Sequence, residues 1–215
     1  MAIPRRQRIL LVVATAVVLL SGVFALGRLS VGTVTPSPTT DSAAAGFLRD
    51  MQVHHAQAVE MALLVRDRTD DETVRTIAYD IAVTQASQSG AMYGLLDAWS
   101  LPQLSGQPAM TWTLLPTIDG SQGGGHQMDP DAPAGMPGLA TAAEIEQLRD
   151  ATGDDAVRLF LTLMIAHHEG GVEMADAVLA RSDVPQVVSL ATGIRTAQLA
   201  EITAMQELLA DLPPV

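Results

Sequence analysis

Two stretches of the chain share one unusual set of side chains. Phe47 to Ala62 reads "FLRDMQVHHAQAVEMA", and Phe160 to Ala175 reads "FLTLMIAHHEGGVEMA". They agree at Phe, Leu, Met, His, His, Val, Glu, Met and Ala. Four of the five histidines of the protein lie in these two adjacent pairs, His54-His55 and His167-His168. Each pair is flanked by methionine at −3 and +7 from its first His: Met51 and Met61, then Met164 and Met174. Imidazole with thioether is a donor set that suits copper, above all Cu(I). Methionine alone is more often a filler of apolar cores, and a buried imidazole can be satisfied by Gln and backbone carbonyls. A hydrogen-bonded polar core is therefore the competing reading.

The other sites these residues could form are excluded by spacing. "HHEGG" lacks a second His four residues after the first, where Val172 stands, so it is not a zincin helix. Di-iron carboxylate bundles use Glu-x-x-His on facing helices, and that pattern is missing here. No phosphate-binding loop, Ser/His/Asp set or CxxC occurs, so little points to an enzyme. Gly170-Gly171 costs a helix about 1 kcal/mol per residue. The pair either admits a close approach or marks a tolerated kink.

The elements that hold the histidines follow from an internal repeat. Residues 41–99 align with 154–212 at a constant shift of 113 without a gap, with 22 identities in 59 positions. Each copy reads as two helices and a short turn, about 44–68 with 71–99 and about 155–181 with 184–211. Thr69 to Glu72 reads as a capping box before the second helix, and Thr141 to Glu144 as another, opening a short helix that ends near Asp150. Thr152-Gly153 then breaks the chain. Two helical hairpins can bury their apolar faces against each other as a four-helix bundle, so the predicted class is all-α. The Gly- and Pro-rich crossover, 100–153, joins the hairpins. Its His126, Met128 and Met136 are possible loop ligands.

At about 100° per residue, Phe47, Met51, His54, His55, Ala58, Met61, Ala62 and Val65 fall within an arc of about 120°. Glu60 lies on the opposite side, free to pair with an Arg of a neighbouring helix. By the repeat, Met164, His167, His168, Met174 and Ala175 share the inner face of the third main helix. The second helix turns Val74, Ile81, Gln85, Gln88 and Met92 inward, and the fourth Val187, Gln198, Glu201 and Met205. Gln85 and Gln198 are expected to bond a His ring nitrogen each and fix its tautomer, as outer-shell partners of a metal do. The two His pairs are expected to meet in the core, with imidazole nitrogens about 4–7 Å apart.

The chain has 215 residues, no cysteine and no lysine; all twelve basic residues are arginine, against 24 acids. A net charge of −12 argues against a nucleic-acid partner. The N-terminus carries "PRRQR" and then 19 uncharged residues, Ile9 to Gly27. That length fits a membrane anchor over 1–29 with the arginines in the cytoplasm. A signal cleaved after Ala25, releasing a secreted protein, is the alternative. Residues 30–40, "SVGTVTPSPTT", read as an extended linker.

The stretches "FLRDMQVHHAQAVEMA", "YDIAVTQASQSGAMYGLLDAW", "MPGLATAAEIEQLRDATGDDAVRLFLTLMIAHHEGGVEMA" and "IRTAQLAEITAMQELL" resemble the family called domain of unknown function 305, over about 41–212. The resemblance implies a ferritin-like four-helix bundle, exported or membrane-anchored, and some relatives bind copper in copper tolerance. Carried over by position, the ligands would be Met51, His54, His55 and Met61 with Met164, His167, His168 and Met174. The linker has fewer Met than Met-rich relatives, which argues against a high-capacity store. The expected function is copper sequestration or delivery outside the cytoplasm. The rivals are an interaction module with a structural His/Gln network and a ferritin-like metal oxidase, for which only Glu201 offers an inner-face carboxylate.

Overall fold

The computed structural model describes residues 37–121 and 135–213, and among them the chain is all-α with no strand. The helices are α1, Ala43–Arg66; α2, Glu72–Ala98; α3, Ala142–Asp150; α4, Gly153–Leu179; and α5, Pro185–Asp211. A 3-10 turn, Thr111–Leu114, lies in the crossover. Helix α1 packs on α2, α4 packs on α5, and the hairpins meet through α1 and α4. No described helix is long and apolar enough to cross a membrane. The anchor expected over 1–29 falls outside the described residues, as do the loop candidates His126 and Met128.

Local chemistry sets the helix ends. Ser42 caps α1 through its hydroxyl, which accepts from Ala45 N at 3.2 Å. The capping box expected at Thr69 does not form. Asp71 caps α2 instead, accepting from Thr73 N at 2.8 Å and Val74 N at 3.0 Å. A carboxylate placed directly before the first turn satisfies two orphan N–H groups and complements the helix dipole. At α3 the expected box of Thr141 and Glu144 is present. Gly153 begins α4 with φ +58°, in the left-handed region open to glycine, and its N–H donates to Arg68 O.

The crossover is fastened to α1 rather than hanging free. Trp112 lies on Gly46, where a Cβ would meet three Trp112 side-chain carbons at 2.5–2.6 Å, and it meets Phe47 edge-on at 5.9 Å. The buried Asp50 carboxylate accepts from Trp112 Nε1 at 2.8 Å and from Met110 N at 2.7 Å. Burial raises the Asp50 pKa, and these two bonds and Arg49 oppose the rise. Met110 adopts a left-handed conformation, φ 62°, strained for a non-glycine residue and held by that bond. Arg49 donates to Pro102 O and to Thr40 O, both at 2.8 Å. Glu60 pairs with Arg149 of α3 at 3.1 Å, as its outer position suggested. Both side chains are over two-fifths exposed, so the pair contributes about 1 kcal/mol at most.

Replacing Asp50 by Ala leaves two buried donors without an acceptor. Each such group costs about 1–3 kcal/mol, partly offset by removing a buried carboxylate. Urea unfolding of Asp50→Ala is expected to show a loss of about 2–4 kcal/mol. A loss below about 0.5 kcal/mol, at the level of an ordinary surface substitution, would show that the crossover is not fastened there.

Candidate metal centre

The antiparallel run of α1 and α4 brings the two His pairs together at the centre of the molecule. All four imidazoles are fully buried. His54 and His167 touch, with ring centroids 3.8 Å apart and planes inclined by 37°. His55 stands 6.5 Å from His54, and His168 stands 6.2 Å from His167. The ring contacts link the four in the order His55, His54, His167, His168. The expected meeting of the two pairs is found, and it is a ring-to-ring contact.

The four methionines divide between two core clusters. Met51 and Met174 lie in one core cluster with Met92 and Met136. Met61 and Met164 lie in another with Met205. Each cluster therefore takes one flanking Met from each His helix, as antiparallel helices require. All four are fully buried, and Met136 of the crossover is buried as well. Among the described residues no three His, Cys, Asp or Glu side chains gather into a metal-ligand group. Any ion held here draws on thioethers or on few imidazoles.

Every Nε2 atom is taken. His54 Nε2 donates to Pro137 O at 3.1 Å, and His167 Nε2 to His54 O at 3.0 Å. His55 Nε2 donates to Gln88 Oε1 at 2.8 Å, and His168 Nε2 to Glu201 Oε2 at 2.7 Å. Carbonyl and carboxylate oxygens only accept, so the ring hydrogen sits on Nε2. A neutral imidazole has one N–H, which leaves Nδ1 with its lone pair. All four Nδ1 atoms are buried with no hydrogen-bond partner, and so are both amide atoms of Gln85 and of Gln198. These six residues form three pairs at the repeat shift: His54 with His167, His55 with His168, Gln85 with Gln198. Unpaired buried polar atoms cost about 1–3 kcal/mol each. These atoms fall at equivalent positions of both repeats. Imidazole nitrogens and thioether sulfurs buried in one core are a donor set that suits copper.

The ring bonds expected of Gln85 and Gln198 are not made. Gln88 and Glu201, one turn further along the same inner faces, make them instead. The helical wheel placed all four side chains inward; only the reach of each side chain across the packed helices separates them. Pro137 had no sequence signal as a ring partner, since it lies in the crossover. The strap that carries it is seated by Gln57, whose amide bonds Ala140 O at 2.9 Å and Ala140 N at 2.7 Å. Gly170 exists for this strap: a Cβ there would overlap Pro137 O and Gly138 N. A Cβ on Gly138, φ +74°, would overlap Ala166 O. At Gly171 it would strike the Gln198 amide. Close approach, not a kink, explains the glycine pair.

The family model of DUF305, "Domain of unknown function", matches residues 44–209. The chain belongs to the DUF305 family. The structure of a DUF305 protein from Streptomyces coelicolor, described as a candidate secreted protein, is 47% identical to this chain. It covers 80% of this chain and 95% of its own, with a TM-score of 0.70. A DUF305 fragment from Deinococcus radiodurans is 31% identical over 79% of this chain and 97% of its own, TM-score 0.63. CopM in its Cu(I)-bound form shares the fold at 22% identity, over 81% of this chain and 98% of its own, TM-score 0.56. No curated protein matches the chain.

In this DUF305 protein the core keeps His54, His55 and His167 neutral. Burial, followed by the neighbouring His55, lowers the His54 pKa to about 3. Burial lowers His55 to about 4, with the Gln88 bond opposing. Burial, then the neighbouring histidines, hold His167 well below the ordinary value. Neutral imidazole is the ligating form.

As the pH falls, the unfolded chain takes up protons near pH 6.5 while these three rings resist until far lower. Stability from this source is complete above about pH 6.5 and falls progressively toward pH 4. Asp50, with its raised pKa, works in the opposite sense but alone. The metal-free protein is expected to melt at progressively lower temperature from pH 7 to pH 4, and His55→Leu to flatten that slope. A melting temperature unchanged over this range would contradict the neutral core.

The strap gives a paired test. Gly170→Ala is expected to destabilise by about 1–3 kcal/mol through overpacking. Gly90→Ala, on an exposed face of α2 with open space at its Cβ, is expected to stabilise by about 0.5–1 kcal/mol. Equal effects of the two in chemical unfolding would contradict the close approach.

Proposed function

We propose that this protein is an extracytoplasmic, membrane-anchored copper-binding protein that sequesters or hands on the ion, with no catalytic step of its own. The observation that carries the reading is the set of four buried Nδ1 atoms without a hydrogen-bond partner, in an all-α core that also holds two methionine clusters. His54, His55, His167 and His168 would supply nitrogen. Met51, Met61, Met164 and Met174 would supply sulfur, and Met136 of the crossover could join the Met51 and Met174 side. Gln85 and Gln198, buried with free amides, would orient ligands or water once an ion is present. Copper contributes a strong preference for exactly such mixed nitrogen and sulfur donors.

The comparisons support this reading without deciding it. CopM, a distant structural relative, is known in Cu(I)-bound and Cu(II)-bound forms. The Streptomyces coelicolor relative is described as a candidate secreted protein, which fits export. A purely structural polar network accounts poorly for the core, because it would pair the Nδ1 atoms and they are unpaired. A ferritin-like oxidase is disfavoured because among the described residues no three His, Asp or Glu side chains gather into a metal-ligand group.

Metal analysis of protein purified from copper-supplemented medium, after a mild chelator wash, tests the reading. Retained copper is expected. His54→Ala with His55→Ala is expected to remove most of the Cu(I), and adding His167→Ala with His168→Ala to cost little more, because residues of one shared site are not additive. If each double variant loses half, two independent hairpin sites replace the shared one. Full retention by the quadruple variant rules out the imidazoles as ligands.

A further inference from the structure

The bonds made by His55 and His168 match in geometry and differ in charge. His55 and His168 are related by the repeat shift, and so are their partners, Gln88 and Glu201. The bonds are alike: Nε2 to Gln88 Oε1 at 2.8 Å and Nε2 to Glu201 Oε2 at 2.7 Å. Both rings are fully buried. The Glu201 side chain keeps 22% of its surface exposed, so its charge rests at the rim while its oxygen reaches inward. The two bonds occupy equivalent positions of the repeat, and one partner is a neutral amide where the other is a carboxylate.

We propose that Glu201 makes the two sides of the shared site unequal toward copper, so that its His168 side favours Cu(II) and its His55 side favours Cu(I). The inference rests on the copper reading above. A carboxylate that accepts from Nε2–H polarises the ring and makes the opposite nitrogen, Nδ1, a stronger donor. Its negative charge also attracts a dication twice as strongly as a monocation at the same distance. An amide oxygen accepts the same hydrogen bond and carries no net charge, so it leaves the thioether preference for Cu(I) undisturbed. Glu201 therefore acts through His168, as a positioning and tuning residue, and need not touch the ion.

Gln88 shows that an amide is tolerated in this geometry, which makes Glu201→Gln a conservative exchange, and Gln88→Glu is its reciprocal. Competition titrations of the purified protein against chelators of Cu(I) and of Cu(II) read the effect. Glu201→Gln is expected to weaken Cu(II) about 10–100-fold, the range for outer-shell partners, and Cu(I) much less. Gln88→Glu is expected to strengthen Cu(II) selectively. In the metal-free protein, the His168 Nε2–H proton resonance is expected to move upfield in Glu201→Gln, since the charged acceptor is gone, while that of His55 stays. Equal losses for the two oxidation states, or no change in either, overturn the inference and leave the copper reading intact. A wild-type protein that takes up neither ion overturns both. If Glu201→Gln does not fold, Gln88→Glu decides alone: an unchanged ratio of Cu(II) to Cu(I) affinity overturns the inference.

Discussion

Ring contact between His54 and His167 at the centre of the molecule constrains everything around it. Centroids 3.8 Å apart require α1 and α4 to approach closely along their inner faces. The residues on those faces allow it: Ala58 and Ala62 on α1, with Gly171 and Ala175 on α4, are small and buried. Two rings so close cannot both carry charge in a medium without water, and burial lowers the pKa of His54 and His167 accordingly. Neutrality then fixes one hydrogen per ring. The acceptors around the rings place that hydrogen on Nε2 and turn the lone pairs toward atoms that offer them nothing. The composition of the core and its candidate chemistry are consequences of one contact.

At the histidines the pseudo-two-fold symmetry of the repeats is broken at two points. His167 donates to the backbone of His54, yet His54 does not return the bond to His167; it donates to Pro137 of the crossover. The strap occupies one side only, admitted by Gly170 and Gly138, where the aligned position in repeat one is Gln57. That residue holds the strap through its amide. The exchange of Gln88 for Glu201 is the second break. A duplicated hairpin thus supplied the scaffold, and the differences between its copies supply a covered side and a charged side.

Much of this was legible in the sequence because period and repeat are strong signals. The histidines, their flanking methionines, the five helices and the facing of the two pairs follow from a 100° wheel and the shift of 113. Details decided across the chain were less legible. The wheel put Gln85, Gln88, Gln198 and Glu201 inward together, but which amide or carboxylate reaches a ring depends on interhelical distance, which no local pattern encodes. Thr69 lost its capping role to Asp71, two residues on, because both fit the pattern and the carboxylate satisfies more N–H groups. The crossover read as a loop because Gly and Pro dominate it. Its fastening by Asp50, Arg49 and Gln57 uses side chains that look like ordinary surface residues of α1, and Met136 of the same crossover is buried in the core.

The central claim is that Nδ1, not Nε2, is the atom each buried imidazole offers to an ion. Cu(I) is diamagnetic, so long-range nitrogen–proton spectra of the imidazoles can be followed as Cu(I) is added to the metal-free protein. The account requires Nε2-protonated rings before addition. It then requires the Nδ1 resonances of the ligating histidines to shift while their Nε2–H signals persist. Loss of the Nε2–H signals, or spectra that do not change with copper, would contradict it.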